Sequence, residues 1–323
     1  MTVKVNLPKD LSGKTFLIAG AAGFVPGHVS EFYLNLGAKV IGLDNFITGT
    51  KETVEILSKF DNFKFIECDV SEKLPEFDED IDYILSLASP ASPLDFNTIP
   101  MEIMKVNTYG TWNLLELAKK KNARFLEAST SEIYGDPEIH PQPETYFGNV
   151  NTVGPRSCYD ESKRFAETLT NNYHTHFGLD TRIIRIFNTY GPRMRPNDGR
   201  VIPNFINQAL QGDDLTIYGD GSQTRSFCYV SDLVQAMHNV LFSDDNTPFN
   251  IGNPDEYSIK DCAENIIQNL ESDSKITFLP IGKDDPKVRK PDLTKLQSIS
   301  DYKPQVSFKE GIRKTAEFFK SLQ

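Results

Sequence analysis

Tyr159 and Lys163 stand four residues apart in Ser157-Cys158-Tyr159-Asp160-Glu161-Ser162-Lys163, some thirty residues after Ser129-Thr130-Ser131-Glu132. On a helix, positions i and i+4 share a face. The Lys163 ammonium is therefore placed to sit beside the Tyr159 phenol and favour its ionised form. A free phenol titrates near ~10, and each pKa unit is worth ~1.4 kcal/mol, so bringing it near neutrality takes roughly 4 kcal/mol of preferential anion stabilisation. Taken alone, a Tyr and a Lys at this spacing also describe an ordinary exposed helix pair. The surrounding elements decide between the two.

Residues Lys14 to Ala19 read as a short apolar strand running into Gly20-Ala21-Ala22-Gly23-Phe24-Val25-Pro26-Gly27, after which HVSEFYLNLGA has helical spacing. A second strand, Lys39 to Leu43, ends at Asp44. This β-turn-α-β unit, with an acidic residue about 20 positions beyond the turn, is the pattern of a dinucleotide site. Backbone amides of the turn would cradle a pyrophosphate, and Asp44 would accept hydrogen bonds from ribose hydroxyls. A carboxylate there repels a 2′-phosphate, so NAD is expected rather than NADP. An oxidised nicotinamide would also help to ionise Tyr159.

Alternation continues with strands expected at Phe63 to Glu67, Asp82 to Ala88, Arg124 to Ala128 and Thr181 to Phe187, and helices at Tyr109 to Lys121 and Tyr159 to Phe177. Such a pattern predicts an α/β fold with a doubly wound parallel (Rossmann) sheet and a ligand at the strands' carboxyl ends. After residue 187 the chain is richer in turns. We expect residues 1–187 to form the cofactor domain, with a return segment near 226–242, and residues 188–323 a smaller C-terminal substrate-binding domain.

The formal net charge of −11 argues against a nucleic-acid binder. Arg193, Arg195, Arg200 and Arg225 nevertheless fall within 33 residues, a cluster suited to one small dianion such as a diphosphate. No apolar run approaches the roughly 18 residues needed to span a bilayer, and the opening MTVKVNLPKDLSGK lacks a signal peptide's apolar core. A cytoplasmic protein is expected. Cys68, Cys158, Cys228 and Cys262 show no CxxC spacing, which points to reduced thiols. The five histidines offer no metal pattern, so no metal is expected.

At GAAGFVPGH, LASPASP, ASTSEIYGDPEIHPQPE, GNVNTVGPRSCYDESKRFAETL, RIFNTYGPRMRPNDGRV, LTIYGDGSQTRSFCYVSDL and DDPKVRKPDLTK the chain resembles the extended short-chain dehydrogenase/reductases that modify nucleotide sugars, and among them the decarboxylases of UDP-glucuronate. The resemblance covers nearly the whole chain. It implies an NAD site lined by Gly20, Gly23, Phe24, Val25, Asp44, Asn45, Phe46, Thr48, Gly49, Asp69, Val70, Leu87 and Ser89, together with Tyr159 and Lys163. Likewise it implies that Asn188, Arg200, Tyr218, Gln223 and Arg225 surround the nucleotide diphosphate. Two departures stand out: Pro26 replaces the third glycine of the turn, with Gly27 one position late, which puts close helix packing in question. Ser86 replaces a histidine usual before LASP, and packing rather than chemistry is expected to change.

The resemblance further implies oxidation of the sugar at C4, with Tyr159 as base and later acid and Thr130 bonded to the same oxygen, followed by loss of the C6 carboxylate as carbon dioxide and re-reduction to UDP-xylose. Ser131 stands where a 4,6-dehydratase typically carries Asp. Glu132 is assigned with Ser131 to orienting the carboxylate and a water, and Arg289 to engaging the carboxylate, with Lys105 the next candidate. A surface pairing of Arg289 with Asp284 or Asp285 remains an alternative. Other readings are a UDP-apiose/xylose synthase, a 4-epimerase or 4,6-dehydratase, or a silent NAD- and sugar-nucleotide-binding protein. Finally, Trp112, Leu114, Leu115, Leu117, Phe165, Ala166 and Leu169 exceed one buried stripe. With the family's paired helices, they imply a homodimer.

Overall fold

The computed structural model describes residues 5, 7–280 and 288–322, so Asp284 and Asp285 lie outside the described residues. Six strands, β1 (Thr15–Ala19), β2 (Lys39–Asp44), β3 (Phe63–Glu67), β4 (Tyr83–Ser86), β5 (Arg124–Thr130) and β6 (Thr181–Ile186), join Phe249–Ile251 in one sheet. Its order is Phe249–Ile251, β6, β5, β4, β1, β2, β3, and every neighbouring pair is parallel. The apolar runs explain the arrangement. FLIA in β1 and VIGLD in β2 are buried throughout, as strands covered by helices on both faces must be. The order reverses between β1 and β4, which opens a crevice at the carboxyl ends.

Two apolar clusters fill the two faces. One joins Leu17, Ile41, Ile84 and Phe125 to Leu114 and Tyr173. The other runs without interruption from Phe16 and Ile18 to Phe227, Phe308 and Ile312, so the chain beyond residue 187 shares a core with the sheet. The segment 226–242 supplies the strand Cys228–Tyr229 and the helix Val230–Leu241, whose His238 ring packs 5.2 Å from that of Phe32. The seventh sheet strand follows it, at Phe249–Ile251.

Two boundaries differ from the expectation in an informative way. The strand expected over Asp82 to Ala88 is paired only from Tyr83 to Ser86. Leu87 and Ser89 instead leave the sheet at the reversal point and line the crevice. The helix expected from Tyr109 begins as a π-helical turn, Val106–Gly110, before Thr111–Lys121. That turn seats Asn107 against the long helix Ser157–Phe177, where its Nδ2 donates to Ser162 Oγ at 2.9 Å.

Candidate active site

The glycine turn feeds directly into the helix Phe24–Asn35, whose first turn has no side-chain cap and no acidic residue. Its amides are thus free for an anion. Gly20 has φ +83, and a Cβ there would lie 2.8 Å from Ala88 Cα, so only glycine lets the turn pass this close to the end of β4. Pro26 sits inside the first helical turn, where a missing N–H costs nothing. The close packing falls to Gly27, where a Cβ would approach Thr53 Cγ2 to 2.6 Å.

At the end of β2, buried Asp44 accepts from the amides of Ala22 (3.0 Å) and Phe46 (2.7 Å). Burial pushes its carboxyl up, and these amides pull it back. Asp69 accepts from Asn45 Nδ2 at 3.0 Å. A cradle that a Cβ would fill and a buried carboxylate at the second strand end fit a dinucleotide. Gly20, Gly23, Phe24, Val25, Asp44, Asn45, Thr48, Asp69, Val70, Leu87 and Ser89 all line one cleft, which continues past Thr130, Ser131, Glu132, Tyr159 and Lys163 to Lys105, Asn188 and Arg200. Phe46 and Gly49 stand behind it. A Cβ on Gly49 would lie 2.8 Å from Asp44 Oδ1, and Phe46 packs 5.3 Å from the Phe65 ring.

The long helix brings Tyr159 and Lys163 to the cleft on its buried face. The Tyr159 ring stacks on Phe96 at 5.1 Å. Burial pushes its phenol far above the ordinary value, opposed by a hydrogen bond with Thr130, while Glu132 adds to the rise and Arg200 lowers it. The Lys163 ammonium is not spent on the phenol. It donates to Ala128 O at 2.7 Å and to Glu127 Oε1 at 3.2 Å. Sequence reasoning passed over Glu127, although one carboxylate inside the otherwise apolar stretch FLEA was a signal.

Thr130 ends β5 and accepts the amide of Glu132 at 3.2 Å, which starts the short 3-10 turn Ser131–Tyr134. Glu132 is gripped from two sides: Arg289 donates from Nη1 (2.6 Å) and Nη2 (2.8 Å), and Arg156 Nη2 lies 2.7 Å away. Burial alone would raise its carboxyl, but the two guanidiniums outweigh it and hold the pKa at about 2. Arg289 is 5% exposed, delivered by the pairing of Val288–Arg289 with Thr224–Ser226. Nearby Asp160 is pushed up to about 7 by burial and by Glu132. Neither Arg156 nor Asp160 was singled out from the sequence.

The arginine cluster is already counterbalanced. Arg193 pairs with Glu31, Arg200 with Asp198, and Arg195 Nη2 lies 2.8 Å from Asp95 Oδ2. Arg193 and Arg195 line the cleft with Arg200. Arg225 is buried and donates to Thr224 O at 2.8 Å. Gln223 donates to Tyr218 O at 2.9 Å, and the Tyr218 ring is exposed. Tyr218, Gln223, Arg225 and Arg289 are not among the residues lining the cleft. Among the described residues no group of three or more His, Cys, Asp and Glu is placed to hold a metal, and no helix is long and apolar enough to cross a membrane.

Residues 16–252 match the profile of the NAD dependent epimerase/dehydratase family. The chain is 49% identical to UDP-glucuronic acid decarboxylase 1 of Danio rerio, over 98% of this chain and 75% of that protein. It is 46% identical to UDP-glucuronic acid decarboxylase 5 of Arabidopsis thaliana, over 96% and 90%. Among solved structures it is similar to the UDP-glucuronic acid 4-epimerase of Bacillus cereus in complex with UDP-glucuronic acid and NAD, with a TM-score of 0.85 at 29% identity, over 96% of this chain and all of that one. The glycine cradle, the Thr130–Tyr159–Lys163 constellation and these likenesses converge: the chain belongs to the NAD dependent epimerase/dehydratase family and, within it, to the UDP-glucuronic acid decarboxylases.

Proposed function

We propose that the protein decarboxylates UDP-glucuronate to UDP-xylose, and that the observation carrying this reading is Glu132 held as an anion between Arg289 and Arg156 beside Thr130 and Tyr159. A carboxylate whose pKa is held near 2 cannot protonate a departing hydroxyl at neutral pH, and neither can Ser131, which argues against a 4,6-dehydratase. Two guanidiniums against one carboxylate instead leave net positive charge behind Glu132 for the sugar's own carboxylate, and Arg289 keeps donors beyond those used by Glu132.

Tyr159 takes the proton of the C4 hydroxyl, and Thr130 holds the same oxygen in line. NAD, when bound, supplies the hydride acceptor and returns the hydride at the end. The C4 ketone lies β to the carboxylate, so the C5–C6 bond breaks with its electron pair passing into the carbonyl as an enolate and carbon dioxide leaving. Arg289, Glu132 and Ser131 orient the carboxylate and a water as C5 regains a proton, and Tyr159 gives its proton back to O4. Arg200, Asn188, Gln223, Arg225 and Tyr218 hold the diphosphate and nucleoside, with Asp44 selecting NAD and the residues from Gly20 to Ser89 named above forming its site.

The division at residue 187 separates these two tasks. The protein acts as a homodimer: Trp112 and Phe165 are exposed, as are Met101, Met104 and Tyr109 on neighbouring turns, whereas Leu114, Leu115 and Ala166 pack inside the protomer. Sedimentation at micromolar concentration checks this, and a monomer mass would reject it. The unpaired cysteines suit the reducing cytoplasm. Incubation with UDP-glucuronate and NAD should yield a nucleotide sugar lighter by one carbon dioxide. A product of unchanged mass would favour a 4-epimerase instead.

A further inference from the structure

Beneath the cleft lies a carboxylate that the reaction as described does not use. Glu127 is fully buried in β5. Its Oε1 accepts a hydrogen bond from the Lys163 ammonium at 3.2 Å. Its register partner on β4 is Ser86, so the small residue at position 86 borders this carboxylate rather than only altering apolar packing. Burial raises the Glu127 carboxyl, and the charge of Lys163 together with a hydrogen bond from Ser86 opposes the rise.

A carboxylate fully buried in a strand is expensive to keep even when paired. Its position against the lysine that shares a helix face with Tyr159 points to a purpose in the site. We propose that Glu127 is a positioning residue for the proton and hydride step: it anchors Lys163 through a buried ion pair and cancels part of the lysine's charge at Tyr159 and at the adjoining cleft wall. This rests on the reading that Tyr159 carries the C4 proton.

The other charges facing the two groups are accounted for. Glu167, on the same helix, bears on Glu127, but it is itself tied to Arg185 of β6 at 2.9 and 2.8 Å and to Ser129 Oγ at 2.5 Å. Glu132, Arg200 and Asp160 bear on Tyr159. Of these, Glu132 is neutralised by Arg289 and Arg156, and Arg200 by Asp198, while Asp160, pushed up to about 7 by burial and by Glu132, is common to wild type and variants and cancels from their comparison. With Glu127 in place the Lys163 pair is close to neutral, and ionisation of Tyr159 then depends on the positive charge of the oxidised cofactor. The phenol is thus kept protonated until a cofactor able to accept the hydride is present.

Two readouts test this. In the pH profile of kcat for carbon dioxide release, Glu127→Gln should move the acid limb to lower pH by roughly one unit, because the uncompensated ammonium stabilises the phenolate. Glu127→Asp, which keeps the charge, should leave the limb in place. Glu127→Leu gives a second neutral variant should the Gln variant fail to fold. Independently, with substrate absent, the ratio of the NAD to the NADH dissociation constant should rise roughly threefold to tenfold in the neutral variants, since added positive charge repels the cationic ring. An unmoved acid limb together with an unchanged ratio, whatever the loss in kcat, makes Glu127 a structural residue and overturns the proposal. Full activity of Tyr159→Phe would instead remove the base reading itself, so the two failures are separable.

Discussion

The two walls of the cleft are built from different materials. The wall formed by β1 and β2 is backbone: the glycine turn, the uncapped start of the helix Phe24–Asn35 and one carboxylate, Asp44, already bonded to two amides. The opposite wall is side chain, and its cations arrive paired, Arg193 with Glu31, Arg195 with Asp95 and Arg200 with Asp198, while Arg289 grips the lining carboxylate of Glu132 from behind. A backbone wall is preorganised and needs no counter-charge displaced before it binds. A wall of ion pairs must exchange or share partners each time an anionic sugar nucleotide enters or leaves. The difference matches a reaction in which the cofactor is restored every turnover and the substrate is replaced.

The sharpest way to break this comparison is at the residue both walls serve. Tyr159→Phe should lower kcat by about 10²–10⁴-fold while NAD affinity, measured by calorimetry, stays near wild type. The ring still stacks on Phe96, but nothing carries the C4 proton. Near-normal turnover would take Tyr159 out of the chemistry.

Behind the side-chain wall, Arg289→Met should slow xylose formation more than Arg289→Lys, which keeps the charge without the two-pronged donor. Both should let a 4-keto intermediate or absorbance at 340 nm build up. Normal rates in both would return Arg289 to a structural role and make Lys105 the next residue to test. The same change alters acid stability. Glu132 is depressed to about 2 in the fold against ~4.3 in an unfolded chain, so the stability it contributes is complete above that higher value and lost as pH falls towards 2. Removing Arg289 raises the folded value, and the acid-unfolding midpoint followed by circular dichroism should move to higher pH.

On the backbone wall the effects should be smaller. Asp44→Asn should cut the preference for NAD over NADP by roughly tenfold to a hundredfold, consistent with about 1–3 kcal/mol for a charged hydrogen-bonding group. Equal or tighter NADP binding by the wild type would contradict the role given to Asp44. Gly27→Ala should cost about 1–3 kcal/mol in stability, since its Cβ would meet Thr53. An unchanged melting temperature would mean that the helix shifts freely, and that the late glycine has no packing duty.

The backbone wall was the more legible in the sequence. A glycine turn between two apolar strands with Asp44 at the end of the second depends on contacts within about 30 residues, and periodicity reports such contacts well. Of the residues expected there, Phe46 and Gly49 stand behind Asp44 and the others line the cleft. The ion pairs of the other wall join distant parts of the chain. Arg289 meets Glu132 across 157 positions, and Arg195 meets Asp95 across 100. No local pattern announces which carboxylate an arginine will find, so Arg156 and Asp160 went unmarked. Glu127 was missed for the opposite reason: its strand reads as apolar, and only the fold shows that its partner is Lys163.

The central claim is that the hydrogen removed from C4 returns to the same carbon after carbon dioxide has left. Incubating the protein and NAD with UDP-glucuronate deuterated at C4, in the presence of excess unlabelled NADH, tests it directly by mass spectrometry. The account predicts UDP-xylose lighter by one carbon dioxide and still carrying the deuterium. A product that keeps its carboxylate, or UDP-xylose that has lost the label, would contradict it.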